Sequence, residues 1–165
     1  MATFGKTDIG ATLEGYGADY ISGSRFTLSE TGSVTKISKY IGSYAYGAGN
    51  SKCAIYTNVA GVPSVLKVQS AELTGLTLNA WNDFTVSPAV ELTAGDYWIL
   101  FWSQQNPEHT YDSGPANYGI VKSQIYGAWD DPFSGGTYYA RLYSIYATYT
   151  PAAKTPLKWT PHSGL

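Results

Sequence analysis

Short runs in which apolar and polar residues alternate recur along this chain, and each is closed by Gly, Pro, Asn or Ser. A period of two sends successive side chains to opposite faces of an extended strand, and breakers at this spacing are the mark of an all-β sandwich or barrel. The pattern predicts roughly eight or nine strands in a two-sheet antiparallel, jelly-roll-like sandwich. They fall at residues 20–28, 33–41, 52–57, 64–72, 82–86 and 95–103, in a weaker pair near Tyr111 and at 120–125, and at 137–150. No stretch sustains the period of an amphipathic helix.

Two runs stand out. In the last one Tyr139, Arg141, Tyr143, Ile145, Ala147 and Tyr149 share one face, while Tyr138, Ala140, Leu142, Ser144, Tyr146 and Thr148 share the other. The run Asp96-Tyr97-Trp98-Ile99-Leu100-Phe101-Trp102 is apolar on both faces, as a central strand covered on each side would be. A second sheet accounts for one cover. Loops, a neighbouring subunit or a flat ligand are the candidates for the other. From Gln104 to Gly136 the chain is polar and turn-rich, which reads as loops at one end of the sandwich. The organisation expected is an N-terminal arm or first strand over 1–18, a sandwich over 19–151 and an irregular tail over 152–165.

Composition sharpens this picture. The 165 residues suit one core, and the apolar inventory is dominated by flat rings, with 15 Tyr and 5 Trp against 1 Met. Only 13% of residues are charged and the formal net charge is −2, so nothing attracts a phosphate backbone, and copies of the chain repel one another little. The single Cys53 lies in a strand-like run and reads as a buried small hydrophobe. No apolar stretch approaches membrane-spanning length, and Met1-Ala2-Thr3-Phe4-Gly5-Lys6 lacks the pattern of a secretory signal, so secretion by the usual route is not expected.

Candidate chemistry is sparse. The chain has only His109 and His162, and no Gly-x-Ser-x-Gly elbow accompanies either. His109, beside Glu108, reads as a surface-loop residue, and catalysis is not expected. No cofactor is expected either. Calcium is conceivable at Asp112, Asp130 and Asp131 with Asn117, although their spacing matches no known loop and solvated turn carboxylates explain them better. Aromatic and amide chemistry remains: Tyr111, Tyr118, Tyr126, Trp129 and Phe133 lie among Asn117, Gln124 and Asp130. Rings beside amides suit the faces and hydroxyls of a sugar, they suit a protein interface, and they equally suit the closed end of a core. On the sugar reading Tyr118, Tyr126 and Trp129 are stacking platforms. In the tail, Leu157, Trp159 and Leu165 are candidate contacts with a neighbouring subunit.

Several phrases occur together: Gly23-Ser24-Arg25-Phe26-Thr27-Leu28, Thr35-Lys36-Ile37-Ser38, Ala54-Ile55-Tyr56-Thr57 followed by Gly61-Val62-Pro63, Trp81-Asn82-Asp83-Phe84, Leu92-Thr93-Ala94-Gly95-Asp96-Tyr97-Trp98 and Tyr143-Ser144-Ile145-Tyr146-Ala147. In these the chain, nearly to Pro151, resembles single-sandwich modules of extracellular and virion-associated proteins of prokaryotes and their viruses. The resemblance implies an accessory or displayed module, either a structural protein on a virion or cell surface, such as a capsid-decorating or tail-associated protein, or a carbohydrate-binding-like domain. The first expectation is therefore a homo-oligomeric assembly module at a virion or extracellular surface, and the alternative is a polysaccharide-binding module.

Overall fold

Strands form where the alternation places them, and two of them match to the residue. A computed structural model of the chain describes residues 1–154. Its strands are β1 (Ala2–Gly5), β2 (Thr12–Gly15), β3 (Tyr20–Leu28), β4 (Gly32–Tyr46), β5 (Asn50–Val59), β6 (Val62–Gln69) and β7 (Leu73–Thr74). They continue as β8 (Ala80–Leu92), β9 (Gly95–Ser103), β10 (Asn106–Ser113), β11 (Gly119–Ser123), β12 (Thr137–Tyr139), β13 (Arg141–Tyr143) and β14 (Ile145–Pro151). All pairings are antiparallel. One sheet runs β1-β14-β4-β10-β13, with β8 added along β4 and β2 along β10; the other runs β12-β11-β3-β9-β5-β6, with β7 on β5. The fold is thus an all-β sandwich of two sheets.

The main core lies between the sheets. Val34, Ile37, Ile41 and Phe84 of the first sheet meet Cys53, Ile55, Ile99 and Phe101 of the second, all fully buried. Phe84 and Phe101 meet edge to face at 5.9 Å. Burying each such side chain contributes about 1.5–3 kcal/mol. Cys53 sits in this core as a buried thiol, as its strand-like run implied.

A second core explains why β9 is apolar on both faces. Trp98, Leu100 and Trp102 point away from the first sheet and pack with Ile21, Ala54, Tyr56 and Ile120 beneath Trp129 and Phe133. The covering rings belong to the connection between β11 and β12, residues 124–136, which folds back over the sheet as a roof. Tyr56 donates a hydrogen bond from its hydroxyl to the Asp130 carbonyl at 2.7 Å, and the Phe133 amide donates to the Ser64 carbonyl at 2.8 Å. Loops, of the covers considered above, close this face.

Two expectations need correction. The segment from Gln104 to Gly136 is not a set of loops alone, since β10 and β11 carry ladder bonds to β4 and β3. Nor is 137–150 one strand. β12 pairs with β11 in the second sheet, β13 pairs with β10 in the first, and β14 pairs with β4. The chain crosses between sheets at Ala140. Ser24 of β3 holds the crossing: its hydroxyl donates to the Arg141 carbonyl at 3.0 Å and accepts from the Tyr143 amide at 3.0 Å.

Candidate functional site

The roof holds four of the residues expected to bind, and their chemistry is largely spent inside the molecule. Lys52 of β5 reaches up beneath it, with its ammonium 4.8 Å from the Trp102 ring centre, 4.5 Å from Tyr126 and 5.6 Å from Trp129, and donates to the Gly127 carbonyl. Three rings around one ammonium form an aromatic cage, and this protein fills the cage with its own lysine. Burial holds the Lys52 amine below its ordinary pKa. Trp129 is 7% exposed and packs on Trp102 and Tyr56, so the stacking platform expected there is replaced by a buried core ring. Asp130 accepts from Lys122 at 2.6 Å and from Gln124 at 3.1 Å, and the hydrogen bond from Lys122 holds its carboxyl below the usual range. Tyr126 donates to Glu72 at 2.9 Å.

The other expected residues lie elsewhere. Tyr111 belongs to the first sheet, under the Arg141 guanidinium at 4.5 Å. Tyr118 lies 4.0 Å from the Arg25 guanidinium, and Asn117 adjoins it with a φ of 61°. Asp112 pairs with Lys6, while Asp131 accepts from the Leu66 amide in the roof, so the residues considered for calcium do not converge. Among the described residues no group of three or more His, Cys, Asp and Glu could hold a metal ion. Leu157, Trp159 and Leu165 fall outside the described residues.

His109 is not on a surface loop. It lies in β10, 1% exposed, enclosed by Tyr16, Phe101 and Tyr143, with Nδ1 3.3 Å from the Ser22 hydroxyl. Burial depresses its pKa well below 6.5. Lys39 of β4 is 1% exposed in the same interior, its amine lacks a hydrogen-bond partner among the described residues, and its ammonium lies 5.4 Å from the Tyr143 ring centre. Nearby, Glu14 pairs with Arg141 at 2.6 Å and accepts from Tyr16.

The outer face of the first sheet gives the clearest candidate site, and sequence reasoning missed it. No roof crosses it. Trp81 of β8 stands opposite Tyr40 of β4, with ring centres 5.5 Å apart at 69°, and meets Tyr146 of β14 at 4.9 Å and 63°. Farther along β4, Tyr44 and Tyr46 stack at 4.7 Å and 17°, and Tyr46 is 64% exposed. Tyr40, Tyr44 and Tyr46 share a strand face because their spacing is even. Beside Tyr40 the polar residues are already engaged: Asp83 accepts from Lys36 at 2.8 Å and from Ser38 at 2.6 Å. The even spacing of tyrosines was visible in the sequence, but their alignment with Trp81 and Tyr146 depends on strand register. Arrayed rings of this kind make an apolar, weakly charged contact surface.

Compared with known protein families, curated proteins and solved structures, the chain matches none of them at a significant level.

Proposed function

We propose that this chain is a non-catalytic structural module that packs into a larger protein assembly, of the kind displayed on virions or cell surfaces, through the open face of its first sheet. The supporting observation is the row of Tyr40, Trp81 and Tyr146 on a sheet face over which none of the described residues forms a roof. Rings set at 63–69° to one another present an uneven apolar relief, which interlocks with side chains of a protein partner better than with the flat face of a sugar. A second copy of the chain is the partner favoured by charge, since a net −2 gives little repulsion between copies.

Sedimentation equilibrium over a range of concentrations tests this. The chain should self-associate, and Trp81→Lys should weaken association by about tenfold or more while leaving the folded spectrum intact, because the lysine places a charge at the centre of the contact. A chain that stays monomeric at every concentration, or an unaffected Trp81→Lys variant, overturns the reading.

One observation favours a second reading, a polysaccharide-binding module. Tyr44 and Tyr46 stack nearly parallel and leave Tyr46 open to solvent, as a sugar platform requires. In affinity electrophoresis through soluble polysaccharides, retardation that Tyr46→Ala removes and Trp81→Lys leaves in place would support it; no retardation in any gel would end it.

A further inference from the structure

Beside the roof, on the outer side of the second sheet, a groove of about 320 Å³ is lined by Arg25 of β3, the turn Ala60-Gly61-Val62, Ala116, Asn117 and Tyr138. A second hollow of about 260 Å³ shares Val62 and Tyr138 with it and extends towards Phe133. Small-ligand sites are mostly apolar clefts with a few convergent polar groups whose bonding capacity is unused. Arg25, Asn117 and Tyr138 are such groups here.

Arg25 forms no salt bridge with a described residue. Its guanidinium is held over the Tyr118 ring at 4.0 Å, and its one hydrogen bond among the described residues is a long contact from Nη1 to Asn58 Oδ1 at 3.4 Å. Gly61, with a φ of 85°, turns the chain beside Nη1, which a Cβ there would meet at an ordinary contact distance of 3.4 Å. Ala60 and Gly61, with φ of 50° and 85°, form the two-residue hairpin turn between β5 and β6, and Asn117 also holds a positive φ, at 61°. The Tyr138 ring packs edge to face on Trp98 at 5.9 Å, which fixes where its hydroxyl can point.

We propose that this groove binds a sugar that carries a carboxylate, such as a uronic acid unit. The planar guanidinium takes the carboxylate in its fork, Asn117 and Tyr138 take ring hydroxyls, and Val62 faces the apolar side of the ring. An acidic peptide would use Arg25 but would need a free strand edge for its backbone. The neighbouring edge of β6 is already engaged: the Ser64 carbonyl accepts from Phe133 at 2.8 Å, and the Leu66 amide donates to Asp131 at 3.1 Å. The groove lies on the other sheet from the open aromatic face, so this site stands or falls independently of the assembly reading.

The test is a titration of the full isotopically labelled chain, followed by amide chemical shifts, with D-glucuronate, D-glucose, acetate and an N-acetylglutamate amide as probes. Glucuronate should shift Gly61, Asn117 and Tyr138 saturably, with the other three probes about tenfold weaker or more. Arg25→Met should lose about tenfold or more in affinity, and Tyr138→Phe, which removes one hydroxyl and keeps the ring packing, should lose several-fold. Asn117→Gly keeps the positive φ and carries the test with Tyr138→Phe should Arg25→Met fail to fold. Glucuronate shifts that map elsewhere, acetate or the glutamate amide binding as tightly as glucuronate, or variants that bind normally would each overturn the proposal.

Discussion

Lys39 places an amine with no hydrogen-bond partner among the described residues between two packed sheets. Desolvation pushes its pKa from 10.5 down to about 7, so the folded chain holds it largely uncharged only above neutrality. Between about pH 7 and 10.5 the unfolded chain keeps a proton there that the folded chain does not. Folding therefore gains about 1.4 kcal/mol per pH unit as pH rises through that window, and the penalty is fully present below pH 7. The neighbours add their own windows. Buried His109 is depressed well below 6.5, so stability falls as pH drops below that value, and buried Cys53 is raised well above 9.0, so stability falls as pH rises past it. Lys39→Met fills the same space without the amine. It should raise unfolding free energy at pH 6 by about 1–4 kcal/mol and flatten the rise between pH 7 and 9, as measured by denaturant unfolding across pH. A variant less stable than the parent at pH 6 would show that the amine has a partner after all.

At the scale of elements, the crossing between β12 and β13 depends on one hydroxyl. Ser24 is fully buried and satisfies the Tyr143 amide and the Arg141 carbonyl on the opposite sheet. Ser24→Ala should cost about 1–3 kcal/mol by leaving that amide unpaired, seen as a lower denaturation midpoint at unchanged slope. Much of the element order was legible: 20–28 and 95–103 were read to the residue, because both runs end at turn-forming residues. The crossing was not legible. Side-chain parity continues unbroken from Tyr139 through Arg141 to Tyr143, and what changes at Ala140 is the hydrogen-bonding partner, which alternation does not encode. Likewise Glu108 and His109 read as loop residues because Asn106-Pro107 signals a turn, yet pairing with β4 and β2 draws them into β10.

For the whole molecule, the asymmetry between outer faces matters most. Among the described residues the second sheet is sealed by its roof, and the first has none. Trp129 is the largest ring in that seal, so Trp129→Ala should destabilise the fold by about 3–5 kcal/mol and lower the melting temperature while leaving self-association through the first sheet unchanged wherever the variant stays folded. Loss of association by the folded variant would place the contact on the roof instead. Seven of the residues expected to bind were drawn from residues 111–130, and tertiary packing separated them: Trp129 into a core, Tyr126 over Lys52, Tyr111 into the first sheet, and Asn117 into a groove.

The sequence by itself determined that this is an all-β sandwich, that β9 lies at its centre and that Cys53 is buried, because period-two alternation and turn residues act locally and survive any arrangement of strands. Only the tertiary structure decided which aromatic faces are spent and which are open. A ring reads the same in sequence whether it cages the protein's own lysine, as Trp129 does, or meets other rings on the outer face of a sheet, as Trp81 does. That difference depends on strand register and on where a distant loop folds back, and both are set by contacts between residues far apart in the chain.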